Sequence, residues 1–323
     1  MRSFNRIVKA AVLIAAVLIV FLALDFVLYP CTFMRNDIHS IVTETFDDVY
    51  MGTSHGKMNI DPDTIEEITG RSGHNVCVGG EYPADTYYML RLMLEKGHKP
   101  KRVVYEISPG YLVRQKEEGN NYLLFYHEFP LSRTKLAYFM DTVSKCNLRT
   151  LFFPWYEYPL SYELSKVKET CSVKLSRDYS ASLFKTQAQE YHESGFIARF
   201  PVDTSTLTTD GLTAPQVTDI VPENMAYLEK LVSLCKKEEI DFLAVTTPLP
   251  LENLQAFAAE YQQMWQMFDA WFAQQGVPYI NYNGQEHFND FTHDRMAFTD
   301  MDGHLNSEAA VAYSRVLAGQ LGT

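Results

Sequence analysis

Residues 49–55 read Val-Tyr-Met-Gly-Thr-Ser-His, a short apolar run that ends in a Gly-Thr-Ser turn. This pattern predicts a buried strand followed by a turn. Including this run, five predicted strands span residues 47–52, 75–80, 102–107, 241–247 and 277–282. Amphipathic segments predict helices at Asp61–Thr69, Ala84–Lys96, Pro222–Glu239, Leu251–Gln275 and Asn306–Leu321. Alternating strands and helices predict an α/β fold with a mostly parallel five-stranded sheet, covered by helices on both faces.

Small residues stand where three of the predicted strands end. Ser54 follows the first strand, Gly79 and Gly80 close the second, and Ser108 follows the third. In parallel α/β sheets the reactive residues lie beyond the carboxyl ends of the strands. We therefore expect these residues to share one site.

Composition excludes one large class of partner. The chain has 323 residues, a hydrophobic fraction of 46% and a formal net charge of −12. Nucleic-acid binding needs a basic face, so we expect no nucleic-acid partner. The five cysteines are widely spaced and contain no CxxC pair, so no zinc or redox motif is predicted. At most one or two disulfide bonds are possible, and the sequence does not say which. We expect neither a metal nor an organic cofactor.

The N-terminal segment is long and apolar. Residues 10–24 carry no polar side chain, and the apolar run resumes after Asp25 up to Tyr29. This is near the length that spans a bilayer, and the basic residues before it predict a cytoplasmic N-terminus. We expect a transmembrane signal anchor in residues 1–30 and an extracytoplasmic domain in residues 31–323. A cleaved signal peptide is the alternative, but no small-x-small cleavage site precedes Pro30.

The strand–helix alternation breaks between about residues 113 and 220. This stretch is rich in Tyr and Phe, with clusters at 122–126 and 151–158. We interpret it as an insertion, helical around 133–145 and 160–170, that caps the open end of the sheet. The alternative is an ordinary helical layer of the core. The aromatic clusters are expected in the core, with binding of a chain-like substrate as the alternative.

A serine, a histidine and two aspartates form the candidate catalytic set. Ser54 lies in a turn after a strand, where its hydroxyl is exposed and nearby amides can hold an oxyanion. A serine nucleophile needs a base, and the imidazole needs an acceptor that fixes its tautomer. His304 lies in a loop before the last predicted helix, with Asp300 and Asp302 just upstream. Either aspartate can orient it.

Other polar residues near these positions have weaker signals. His55 follows the serine and either contacts substrate or packs against the first helix. Glu106, at the end of the third strand, is expected to be a structural acceptor rather than a base. His127, His287 and His293 lack metal-ligand spacing relative to nearby acidic residues.

Two segments resemble a known superfamily. Gly52-Thr53-Ser54-His55 resembles the opening block of SGNH/GDSL-type hydrolases, and the segment 298–306, Phe-Thr-Asp-Met-Asp-Gly-His-Leu-Asn, resembles their closing block. Residues 47–62 and 75–90 are similar to membrane-anchored members, the DltD-like and alginate O-acetylation-like proteins. The resemblance covers residues 45–112 and 222–321. It implies an SGNH-like, flavodoxin-like three-layer sandwich with Ser54 as nucleophile, His304 as base and Asp300 as the better-matching acid.

The resemblance has departures. Thr53 replaces the aspartate that precedes the family's serine, and the closing spacing has one extra residue between Asp300 and His304. Gly110 stands where the family has an oxyanion-donating asparagine. The resemblance then leaves the Ser54 amide, Gly79 and Gly80 as the expected oxyanion donors. His55 and Asn306 are expected at the substrate.

The resemblance implies a membrane-anchored O-acyltransferase or esterase. Its substrate would be acyl groups of a cell-envelope polymer or glycan, and a membrane-bound O-acyltransferase is an implied partner. The alternative is a catalytically silent SGNH-like domain that binds polymer or supports that partner. A carbohydrate esterase that releases acyl groups to water shares the same triad.

Overall fold

The computed structural model describes residues 2–116, 122–149, 164–177, 179–284 and 290–322. The chain divides into two compact units. One contains residues 1–32 and 147–180, and the other contains residues 33–146 and 181–323. The second unit holds the β-sheets and every candidate site residue.

The second unit is built on an all-parallel five-stranded sheet. A separate antiparallel hairpin lies between its third and fourth strands along the chain. In chain order the strands are β1 (Asp48–Gly52), β2 (Gly73–Asn75), β3 (Arg102–Glu106), β4 (Gln189–Tyr191), β5 (Ile197–Arg199), β6 (Asp241–Thr246) and β7 (Tyr279–Asn281). The sheet order is β2-β1-β3-β6-β7, an order common among doubly wound sheets. This confirms the predicted α/β class and the number of strands.

Fourteen α-helices accompany the strands in the described ranges. In chain order they are α1 (Arg2–Leu28), α2 (Phe33–Thr43), α3 (Ser54–Asn59), α4 (Pro62–Thr69), α5 (Pro83–Lys96), α6 (Pro109–Leu112), α7 (Tyr122–Glu128), α8 (Arg133–Asp141), α9 (Leu164–Ser176), α10 (Pro222–Lys237), α11 (Leu251–Ala256), α12 (Ala258–Gln275), α13 (Asp290–His293) and α14 (Ser307–Leu321). Capping follows the sequence signals: the Asp61 side chain caps α4, and Gly97 ends α5 with a φ of 88°.

Alternate strand residues fill the core on either side of the sheet. Tyr50, Val104 and Leu243 join one buried cluster with Tyr313 and Leu317 of α14. Their neighbours along the strands point to the opposite face, because side chains alternate along a strand, and they too are buried. Strands buried on both faces are typical of parallel sheets and explain the continuous apolar runs in the sequence.

Two elements differ from the predicted boundaries. The predicted strand at 75–80 begins earlier, at Gly73, and its regular pairing ends at Asn75. The next residues remain extended, since the Val76 and Val78 amides still donate to carbonyls of β1. The predicted helix at Leu251–Gln275 is two helices, divided at Phe257, which has φ −129° and ψ 36°. Phe257 packs there against a small apolar cluster beside the sheet, so packing overrides local helix propensity.

The stretch 113–220 contains helices and the unpredicted hairpin. Helices α8 and α9 lie close to the two helical segments that the sequence predicts. The aromatic cluster at 122–126 contributes Phe125, which is fully buried, whereas the cluster at 151–158 lies outside the described residues. Residues 211–215 line a cavity with residues from the strand ends. Part of this stretch therefore borders the cavity at the strand ends, and its role as a cap stays a prediction.

The first unit contains the long N-terminal helix α1. Residues Phe4–Leu28 are long and apolar enough to span a membrane, and a signal sequence has the same character. Lys174 of α9 donates to the backbone carbonyls of Phe26 and Tyr29, at 2.6 Å each. These bonds satisfy two carbonyls at the end of α1, where the helix has no further amides to offer.

The turn that follows Gly80 contains a buried carboxyl group. Glu81 is fully buried and accepts hydrogen bonds from the Thr86 hydroxyl and amide. Burial, reinforced by the nearby charge of Asp85, raises the pKa of Glu81 from 4.5 to about 8. The folded state therefore binds a proton here that the unfolded chain releases.

We expect this proton to make stability depend on pH. A group with a raised folded pKa favours the folded state at low pH, and that stability is lost as pH rises from about 4.5 to about 8. In this window the slope is on the order of 1.4 kcal/mol per pH unit. Glu81→Gln should therefore melt at a higher temperature than wild type at pH 8 and at nearly the same temperature at pH 5. Thermal unfolding at both pH values checks this, with the exposed Glu66→Gln as the charge-matched control; a gain for Glu81→Gln that does not change with pH contradicts it.

Candidate active site

The sequence between β1 and α3 places Ser54 at the edge of the sheet. Gly52 ends β1 with a φ of 137°, and a Cβ there would lie 2.3 Å from the Glu106 carbonyl oxygen. Only glycine fits this turn, because the backbone is in a region that L side chains rarely adopt and two strands approach closely. Thr53 then caps α3 by accepting the His55 amide, and Ser54 is the first helical residue. Its hydroxyl lies beyond the carboxyl end of β1.

The loop before α14 places His304 against Ser54. Residues 298–305 fold back on themselves: Phe298 pairs with Leu305, and the Thr299 amide donates to the His304 carbonyl at 2.8 Å. The Asn59 side chain of α3 forms two hydrogen bonds with this loop. It donates to the Gly303 carbonyl at 2.9 Å and accepts from the Leu305 amide at 2.8 Å. The short helix that begins with Ser54 thus also holds the histidine loop.

Three of the predicted site residues form one hydrogen-bonded chain. The Ser54 Oγ lies 2.8 Å from Nε2 of His304, and Nδ1 of His304 lies 2.8 Å from Oδ2 of Asp300. An ionised carboxylate only accepts, so the proton lies on Nδ1 and Nε2 is left to accept from the serine. This is the tautomer in which His304 can take a proton from Ser54.

Asp300 is the more strongly held of the two aspartates. Its Oδ1 accepts the backbone amides of Asp302, Gly303 and His304, and its Oδ2 also accepts Arg199 at 2.7 Å. Burial acts to raise the pKa of Asp300, but its hydrogen bonds and the charges of His304 and Arg199 outweigh burial and hold the pKa well below the usual range. Asp300 therefore stays ionised and orients the imidazole.

Asp302 lies elsewhere in the same loop. Its side chain is 58% exposed, and its carboxylate approaches Nε2 of His55 at 3.9 Å rather than His304. Of the two candidate acids, Asp300 is the one bonded to the histidine. Gly303 separates Asp302 from His304 with a φ of 117°, and a Cβ there would lie 2.5 Å from Leu249 and 3.5 Å from the His55 ring.

His55 packs directly on His304. The two rings are nearly parallel, with centroids 4.6 Å apart and planes 11° apart. The His55 Nε2 lies 3.0 Å from the Asp302 carbonyl oxygen, and its Nδ1 lies 3.4 Å from the Thr53 hydroxyl. Burial acts to lower the pKa of His55, yet the charges of Asp302 and Glu106 raise it overall. His55 is thus a second buried imidazole at the site.

The remaining predicted residues have different positions. Gly79 lies beside Ser54, since a Cβ there would be 3.7 Å from the Ser54 Cβ. Within the described residues the Gly79 and Ser54 amides have no hydrogen-bond acceptor, and Gly80 follows with a φ of 76°. Asn306 caps α14 by accepting the Ala309 amide, and its own amide donates to the Met296 carbonyl. The Asn306 side chain therefore stabilises the loop that precedes α14.

A cavity of about 250 Å³ opens next to His55 and Asp302. Its wall comes from the loop after β3, the segment 211–215, the end of β6 and the start of α11 and α12. Aromatic and polar side chains meet in it, including those of Tyr111, Tyr261 and Asn253. Such a lining suits a ligand with both apolar faces and hydroxyl groups, and such mixed pockets are typical of small-molecule sites.

Some residues of the site carry little sequence signal. Arg199 reaches Asp300 from strand β5, 101 positions earlier in the chain. Glu106 accepts both the amide and the hydroxyl of Thr53, at 2.8 and 2.7 Å, which agrees with its expected structural role. Asn59 could have been found from the sequence most easily, because it lies on the same short helix as Ser54. Comparison of the chain with protein-family models and with curated proteins gave no match.

Proposed function

We propose that this protein is a serine acyltransferase or esterase of SGNH type. The observation that carries the proposal is the chain of two 2.8 Å contacts that joins Asp300, His304 and Ser54. The doubly wound strand order and the position of Ser54 beyond the first strand agree with that type of site.

In the proposed first half-reaction, Ser54 attacks the acyl carbonyl carbon of an ester donor. Its proton passes to Nε2 of His304, and Asp300 stabilises the imidazolium that forms. The Ser54 and Gly79 amides would donate to the oxyanion. The bond to the donor oxygen then breaks, that oxygen takes the proton from His304, and an acyl-Ser54 ester remains.

In the second half-reaction, a hydroxyl group attacks the acyl-Ser54 ester. The hydroxyl gives its proton to His304, and the departing Ser54 oxygen recovers it, so the enzyme returns to its starting state. A sugar hydroxyl gives a transferase and water gives an esterase. The cavity beside His55, with tyrosine rings and polar groups, supports an acceptor of carbohydrate type. Analysis of where the acyl group arrives separates the two reactions.

We further propose that the reaction occurs at the cell envelope. Helix α1 would anchor the chain with its N-terminus in the cytoplasm and its α/β unit outside, where acyl groups of an envelope polymer or glycan are the substrate class. A membrane-bound O-acyltransferase is the proposed partner and acyl source. These assignments rest on the apolar N-terminal segment, the basic residues before it and the resemblance described above.

Modification by a fluorophosphonate tests the reactive serine. We expect the full-length protein in detergent to gain one adduct by intact mass, mapped to Ser54, and Ser54→Ala to gain none. Ser144→Ala, which removes a partly exposed serine far along the chain from the site, serves as the control and should be labelled like wild type. No adduct on wild type would favour the silent binding or scaffold domain, for which the lack of a side-chain oxyanion donor at Gly110 is the supporting observation.

A further inference from the structure

We propose that His55, Asp302 and His304 form a binding site for a divalent transition metal ion, with Zn²⁺ as the best match, and that the bound metal silences Ser54. Each of the three residues offers one donor atom, and these atoms all lie within 4.8 Å of one another. Two imidazoles and a carboxylate are a common zinc ligand set. The metal-binding part is independent of the proposed function, whereas the silencing part rests on it.

The distances allow closure around a metal ion. Zinc binds imidazole nitrogen and carboxylate oxygen at about 2.0–2.2 Å, which places tetrahedral donors about 3.3 Å apart. The carboxylate of Asp302 already lies 3.9 Å from Nε2 of His55 and is 58% exposed, so it can move. The rings, 4.6 Å between centroids and 11° from parallel, must rotate so that their Nε2 lone pairs, which lie in the ring planes, converge on the ion. The Ser54 hydroxyl, 2.8 Å from Nε2 of His304, stands near the fourth position.

Both histidines have the outer partners that metal ligands use. Metal-bound histidines usually donate their second ring N–H to a carboxylate or another acceptor, which fixes the ring. Nδ1 of His304 contacts Asp300 at 2.8 Å. Nδ1 of His55 contacts the Thr53 hydroxyl at 3.4 Å, and that hydroxyl donates to Glu106 at 2.7 Å. Each imidazole can therefore hold its proton on Nδ1 and present Nε2 to a metal.

A metal at this position competes directly with catalysis. The metal would displace the proton that Nε2 of His55 donates to the Asp302 carbonyl, because a metal-bound imidazole nitrogen carries no proton. It would also occupy the lone pair on Nε2 of His304. That lone pair is the one that accepts the Ser54 proton, so the serine loses its base. Zinc is thus expected to act as a reversible inhibitor.

Cobalt spectroscopy tests the binding. The full-length protein, without a polyhistidine tag and in detergent, is first treated with N-ethylmaleimide, because the Cys31 and Cys171 thiols are partly exposed. We expect about one equivalent of Co²⁺ to give the visible absorption of a tetrahedral site, and Zn²⁺ to displace it. His55→Ala and Asp302→Ala should bind at least about 10-fold more weakly, while the exposed His39→Ala should bind like wild type. Equal binding by wild type, His55→Ala and Asp302→Ala would overturn the proposal.

Labelling of Ser54 tests the silencing. We expect Zn²⁺ to slow fluorophosphonate modification of wild type and of His39→Ala at least 10-fold, and EDTA to restore the rate. The rate of Asp302→Ala, whatever its value, should no longer respond to the same Zn²⁺ concentration. An unchanged wild-type rate at saturating Co²⁺ or Zn²⁺ overturns the silencing. If Ser54 is unreactive even in EDTA, the proposed function fails, and the cobalt result still decides the metal site.

Discussion

Asp300→Asn is expected to slow the modification of Ser54 by a fluorophosphonate about 10³–10⁴-fold while leaving the fold intact, and Asp302→Asn by less than about 10-fold. The first substitution changes one atom of a partly buried hydrogen-bond network. The second removes a charge that is 58% exposed and does not contact His304. The pair of variants therefore compares the two aspartates that the sequence leaves as alternatives.

The size of the Asp300→Asn effect follows from its surroundings. Oδ1 of Asp300 accepts three backbone amides, so the amide oxygen of an asparagine must take that position. Its NH₂ group then faces Nδ1 of His304 in place of Oδ2. The NH₂ group donates, so Nδ1 must accept and the imidazole proton moves to Nε2. In that tautomer His304 cannot take a proton from Ser54.

The measurement is the second-order rate constant of labelling for wild type and both variants, read by intact mass on the full-length protein. Melting temperatures measured alongside separate a chemical effect from a folding defect. A larger loss in Asp302→Asn than in Asp300→Asn would show that the loop rearranges in solution and that Asp302 is the orienting acid.

Lys57→Met is expected to lower the melting temperature by about 5–10 °C. Lys57 and Asp37 are almost fully buried, and their charged atoms lie 2.6 Å apart. Removing one partner of a buried ion pair costs about 3–5 kcal/mol, because the other charge stays buried without it. We expect the lower end of this range, since the Tyr191 hydroxyl still donates to Asp37 at 2.7 Å. For a protein of this size about 3 kcal/mol corresponds to that temperature shift.

Lys101→Met is the matched control for this prediction. Lys101 pairs with Asp47 at 2.7 Å, nearly the same distance, but its side chain is 69% exposed. Exposed pairs contribute at most about 1 kcal/mol, so its melting temperature should change by about 2 °C or less. The double variant Lys57→Met/Asp37→Leu should recover part of the loss, because no charge is left buried alone. Similar shifts for Lys57→Met and Lys101→Met would show that burial does not decide the effect.

The sheet was predictable because its three central strands, β1, β3 and β6, are buried on both faces. A continuous apolar run is easily recognised in a sequence. Each of the five predicted strands overlaps a strand of the sheet. The hairpin of β4 and β5 has no such run, because it is short and only partly buried. The division of the predicted 251–275 helix at Phe257 has no proline or glycine to mark it. It accompanies the packing of Phe257 against Leu249, Leu254 and Tyr261.

The candidate triad was predictable because its members lie in two local patterns. Ser54 follows a strand, and Asp300 and His304 share one loop, so short-range spacing carries the hypothesis. The sequence left Asp300 and Asp302 open, since both lie within reach of His304 along the chain, and only the loop conformation distinguishes them. Arg199 and the stacking of His55 on His304 depend on contacts across 101 and 249 positions. No local pattern encodes such contacts.

The distance along the chain between Ser54 and His304 has a consequence for biosynthesis. The two residues are 250 positions apart, so at about 5–20 residues per second the ribosome needs roughly 10–50 s to add the histidine after the serine. During that time Ser54 has no base, and the loop of residues 298–305, which binds Asn59, is not yet complete. A nascent chain, or one that stops before residue 304, is therefore expected to carry an inert serine. Under the proposed function, Ser54 becomes reactive only after translation has passed His304, the last of the three residues.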